Sequence, residues 1–111
     1  MSVIVSNTVT VTVTALVATT IDITVSSGSI VYGQSDTISG TVYDQESNPL
    51  GGVTVYLWEN NANTGYKWSY SGLSTTSNSS NGTFSFTISS SNYYTGNNTY
   101  AVTTSSTYGP A

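Results

Sequence analysis

The chain has 111 residues, a formal net charge of −4 and only 5% charged residues, with a single Lys and neither His nor Cys. One base cannot neutralise a row of phosphates, which excludes nucleic-acid binding and docking on anionic membranes; without His or Cys there is no histidine base, thiolate, disulfide or ordinary zinc or haem site. Apolar residues make up 37%, with nine Tyr, two Trp and two Phe, so the composition predicts one folded domain without enzyme chemistry, metal or cofactor.

Hydropathy alternates with period 2 nearly throughout, and no stretch carries a 3.6 repeat. At the N-terminus Val9, Val11, Val13, Ala15 and Val17 alternate with Thr8, Thr10, Thr12 and Thr14, and Val3 and Val5 extend the same odd-numbered face. Interleaved Thr and the lack of basic residues predict neither a signal peptide nor a membrane-spanning helix, and hence no membrane insertion. We divide the chain into an N-terminal strand over 1–19 and a β domain over 20–111.

The domain's strands follow in order. Ile21, Ile23 and Val25 share one face, and Ile30 and Tyr32 follow Gly28. Residues 36–43 place Ile38, Gly40 and Val42 inward. After the turn Asn48-Pro49-Leu50-Gly51-Gly52, residues 53–58 set Val53, Val55 and Leu57 on one face and Tyr56 and Trp58 on the other. Tyr66, Trp68 and Tyr70 mark a strand over 66–70, Phe84, Phe86 and Ile88 one over 83–88, and Tyr100 and Val102 one over 98–104. Turn-rich stretches at 60–65, 77–82 and 89–98 separate them. Short strands at this spacing predict an all-β antiparallel sandwich of about seven strands.

Thr37-Ile-Ser-Gly-Thr-Val-Tyr-Asp44, followed by Asn48-Pro-Leu-Gly-Gly-Val-Thr-Val-Tyr-Leu57, resembles the opening half of prokaryotic Ig-like surface modules. Gly82-Thr-Phe-Ser-Phe86 and Asn98-Thr-Tyr-Ala-Val102 resemble their later part. The resemblance covers about residues 21–108 and implies an Ig-like sandwich at the cell surface; such modules serve as spacers, adhesins and filament subunits alike.

An Ig-like sandwich closes with a last strand after the one that holds Tyr100 and Val102. Residues 103–111, ending Tyr-Gly-Pro-Ala, are a poor candidate, so the last strand is expected to be missing. The leading segment is a strand too many. Between Val3 and Val25 there is no Gly or Pro to reverse the chain, and a strand of that span reaches ~75 Å at ~3.3 Å per residue. That exceeds a domain of this size, so part of it must project, and an unpaired Val-rich strand invites pairing. Donation of residues 3–17 into the next identical subunit resolves both mismatches and propagates head-to-tail. The architecture is similar to archaeal threads and bundling pili, and by function to chaperone–usher pilins, in which an N-terminal extension completes the neighbouring domain. A monomeric Ig-like surface or virion module, acting as spacer or carbohydrate binder, is the alternative; folding back of the segment, or a pilin-type helix, are the competing structures for residues 3–17.

Three glycosylation triplets begin at Asn78, Asn81 and Asn97, all in turn-rich stretches, and covalent glycans are expected there. Asp44, Glu46 and Asn48 cluster as a possible Ca²⁺ loop, read here as a capped turn. Tyr56, Trp58, Tyr66, Trp68 and Tyr70 could form a sugar-stacking platform or a second packed face. Scarce charge predicts little acid destabilisation.

Overall fold

A computed structural model describes residues 2–89 and 95–110. Among these, six strands form two antiparallel three-stranded sheets: β1 (Ala18–Val25), β2 (Asp36–Asp44), β3 (Thr54–Asn60), β4 (Ser69–Thr76), β5 (Thr83–Ile88) and β6 (Thr99–Thr103), with one 3-10 turn at Ala62–Thr64. The sheet orders are β1-β2-β5 and β4-β3-β6. The expected all-β, two-layer character therefore holds, with six strands where about seven were expected.

Each layer contributes one apolar face. Ile38, Val42, Phe84, Phe86 and Ile88 from the first sheet meet Val55 and Leu57 from the second, with Ile21, Ile23, Leu73, Tyr100 and Val102 packed against them. Gly40 lies within this face directly opposite Phe84. A Cβ at Gly40 would sit 2.7 Å from Cζ of Phe84, so the missing side chain is what lets the ring lie across the strand.

Three segments depart from the sequence expectation. Residues around Ile30 and Tyr32 are not a strand: Gly28 and Gly33 both have positive φ, and the buried Asp36 carboxylate accepts hydrogen bonds from the Ser26 hydroxyl and the Ser27 and Gly28 amides, gathering the segment into a loop. The fourth strand starts at Ser69 instead of residue 66, because the Asn61-capped 3-10 turn runs into left-handed Gly65 and Tyr66. It then runs past Tyr70 to Thr76, with a register shift opposite Leu57 where Gly72 takes φ 88°. The third departure concerns Trp58, which lies on the outer face of β3 yet is only 7% exposed. The C-terminal residues cover it. Its indole N–H donates to the Thr103 hydroxyl at 2.8 Å and the Ser105 carbonyl at 3.1 Å, and a Cβ at Gly109 would lie 2.6 Å from the ring.

Candidate functional site

Residues 2–17 are neither helix nor paired strand. The chain measures 84 × 26 × 18 Å, and fifteen extended residues at ~3.3 Å each account for about 50 Å of the long axis. Val3, Val5, Val9, Val11 and Val13 are 78–87% exposed, and Val17 is 54% exposed; Ala15 is exposed as well. So many exposed β-branched residues on one face of an extended segment are what soluble monomers avoid. Asn7 falls on the same face and interrupts it.

The edge such a segment would need is found on the body. β6 pairs with β3 on one side, and no described residue pairs with its other side. The C-terminal segment turns away to cover Trp58 on the outer face, so it does not follow this edge. A cleft of about 820 Å³ lies beside the start of β6, lined on one wall by Ile23, Val25, Ile30 and Ile38 and on the other by Asn97 and Tyr100.

Register fixes where these features lie. β1 begins opposite Asp44 and ends opposite Ile38, so the arm leaves the body at the pole carrying the 45–53 turn. The cleft opens at the other pole, where β1 ends and β6 begins. β3 runs from the arm's pole to the cleft's pole, and β6 returns antiparallel to it.

Two carboxylates respond to pH in opposite senses. Burial pushes the Asp36 carboxyl up, but the bonds from the Ser26 hydroxyl and the Gly28, Thr37 and Ser27 amides outweigh it and hold it below its ordinary value of 3.8. A depressed carboxylate contributes stability that is complete above the unfolded value and is lost as pH falls through the lower folded one. Glu59, pushed up by burial, favours the fold on protonation instead. We expect the thermal midpoint to hold from neutral pH to about 4 and to fall below the ordinary Asp36 value of 3.8. Asp36→Asn should lower the neutral-pH midpoint and flatten that acid limb; an unchanged limb in the variant would discount the role of Asp36.

The remaining candidate residues have local roles. The Asp44 carboxylate accepts from the Glu46 and Asn48 amides at 2.8 and 3.1 Å, closing a turn, and no metal-binding cluster occurs among the described residues. The Tyr56 and Tyr70 rings meet edge-on at 76°, and Trp58 is tilted 45° to Tyr70. Rings so inclined, with the indole covered, form a packed outer cluster with no common flat face. Asn78, Asn81 and Asn97 are all exposed; the Asn78 side-chain oxygen accepts from the Ser80 amide and that of Asn81 from the Thr83 amide and hydroxyl.

Sequence reasoning did not assign the Asp36 carboxylate to its loop, Ile30 to the cleft, or Ser105 and Gly109 to Trp58, because each role depends on segments separated along the chain being brought together. For Asp36 a local signal existed, the Ser-Ser-Gly run just upstream that a carboxylate can cap. No family model matches the chain, and no match arises with curated proteins or with solved structures.

Proposed function

We propose that this chain is the structural subunit of an extracellular surface filament, a pilus or thread supporting adhesion or biofilm formation, polymerised head-to-tail by donor-strand complementation. One observation carries the reading: an exposed apolar arm leaves one pole of the body, and an open apolar edge and cleft lie toward the other.

The direction follows from that arrangement. An arm descending from one subunit enters the cleft of the next with its N-terminus leading, and so runs antiparallel to β6. This is the direction a closing strand takes beside its hairpin partner in an Ig-like sandwich. Directly paired residues point to the same face, so the odd-numbered valines fall on the side of Tyr100 and Val102. With Val11 opposite Tyr100 and Val9 opposite Val102, Asn7 passes beyond the end of β6 and escapes the core, whereas a shift of two or four residues that draws the arm back sets Asn7 opposite Val102 or Tyr100. A one-residue slip would turn the Thr face inward. The two sheets are then the six resident strands of an Ig-like sandwich, and a sibling supplies the seventh.

Because the contact joins unlike surfaces at opposite poles of the body, successive copies add along one axis and generate a linear polymer instead of a ring. A surface of Ser, Thr, Asn and Tyr, with three exposed acceptor triplets, suits a glycoprotein outside the cell. Negative-stain electron microscopy of the purified full chain is expected to show fibres of one body width; a monodisperse monomer at high concentration would overturn the proposal.

A further inference from the structure

Among the described residues, besides the local bond from the Thr19 hydroxyl to the Val17 carbonyl, one side chain distant in sequence ties the arm to the body. The Val17 amide donates to Gln45 Oε1 at 3.0 Å, and Gln45 Nε2 donates to the Ala15 carbonyl at 2.9 Å. The two backbone groups flank Leu16 and lie on one edge of the extended chain. One planar amide thus makes both bonds that a residue of a neighbouring parallel strand would make. The position is informative. The β1–β2 ladder ends with Ala18 opposite Asp44, and Gln45 is the next residue along, so its side chain supplies one further rung where the backbone has already turned away.

The turn that presents Gln45 is held firmly. Asp44 is buried, and its carboxylate accepts from the Glu46 and Asn48 amides while its own amide donates to the Asn48 carbonyl at 2.9 Å. Ser47 takes φ 64° to close the turn. The clasp therefore hangs from a rigid base.

We infer that Gln45 is a clasp that keeps Ala15–Val17 with their own body, so that the strand offered to a second copy of this chain begins at Val13, and that the clasp sets the angle between successive copies. The inference rests on the filament reading and refines it. Ala15 and Val17, expected above as part of the donated strand, become its root, since Gln45 already occupies one backbone edge there. Val3, Val5, Val9, Val11 and Val13 remain to the donated arm, with Val3 and Val5, like Asn7, reaching past the end of β6 in the register given above. A root bonded at both ends of one amide points the arm along β1, and the next body inherits that direction.

The test uses the full chain with Gln45→Ala and Gln45→Glu. Gln45 is exposed, so both variants keep the core intact. Each lost hydrogen bond contributes about 0.5–1.5 kcal/mol, so Gln45→Ala should accelerate hydrogen exchange at the Val17 amide on the order of tenfold. Gln45→Glu retains the acceptor for Val17 but sets a carboxylate against the Ala15 carbonyl, and should give a smaller change. Fibres of Gln45→Ala should still form, with a persistence length at least halved and an irregular repeat. Unchanged Val17 exchange, or fibres as stiff and regular as the parent's, would overturn the clasp, and so would folded subunits that no longer assemble. If the parent chain forms no fibres the filament reading fails, while Val17 exchange in parent and variant still decides whether the clasp exists.

Discussion

A peptide of residues 2–17 is expected to bind the body that lacks them and to raise its thermal midpoint by 10–20 °C or so. The arm-less body presents the unpaired edge of β6 and the adjoining cleft to solvent, so by itself it should aggregate or melt early. A ligand that binds only the folded state stabilises it by about 2.7 kcal/mol at a hundredfold excess over its Kd. For a domain of roughly this size, each kcal/mol moves the midpoint by about 4–8 °C. Differential scanning fluorimetry across a peptide titration reads this directly. A peptide with Thr in place of the odd-numbered valines keeps the backbone donors and loses the apolar face, and should give little shift. If neither peptide moves the midpoint at millimolar concentration, or both move it equally, the edge is not an acceptor for this arm.

The second large effect comes from single charges on the arm. Val11→Asp should leave the subunit's own stability nearly unchanged, because Val11 is 80% exposed in the isolated chain and exposed substitutions shift stability by about 0.5 kcal/mol or less. Assembly should suffer heavily. The odd face is the one that enters the neighbour's core, and an ionised carboxylate buried without a partner costs several kcal/mol. At ~1.4 kcal/mol per factor of ten, the critical concentration for fibre formation should rise about a thousandfold, to no visible assembly. Thr10→Asp is the decisive comparison, since the same charge one residue away stays on the outer face and should change that concentration by less than tenfold. Sedimentation across a concentration series measures both. Equal loss from the two variants would show that charge alone, and not the face that enters, controls assembly.

The two predictions depend on different parts of the molecule. The peptide experiment interrogates the acceptor, whereas the charge scan interrogates which face of the donor is buried. Success in one with failure in the other would locate the error. The clasp at Gln45 adds a third reading, because it changes how copies are oriented without changing what is buried between them.

Much of the fold was legible in the residue order. Alternation with period 2 marked the strands that hold Ile38, Val42, Val55, Leu57, Phe84, Phe86 and Ile88, and all seven are buried, because a pleated strand sends successive side chains to opposite faces whatever it packs against. The absence of Gly and Pro from Val3 to Val25 marked a segment without a reversal, which is a local property of the backbone. Where alternation met turn chemistry, reading by periodicity failed. Tyr66, Trp68 and Tyr70 have strand spacing, yet the Asn61 cap and left-handed Gly65 place Tyr66 in the preceding turn.

Other features belong to the tertiary structure alone. That the arm leaves the pole opposite the cleft follows from the strand register. That β6 keeps an open side depends on the indole of Trp58 drawing Ser105 and Gly109 across the outer face. Gln45 reaches Ala15 and Val17 across about thirty residues, and nothing in its neighbours' identities announces that reach. Side-chain alternation is written residue by residue into the chain, so sequence determines which faces are apolar. Which of those faces remain uncovered depends on which distant segments meet, and only the packed sheets decide that.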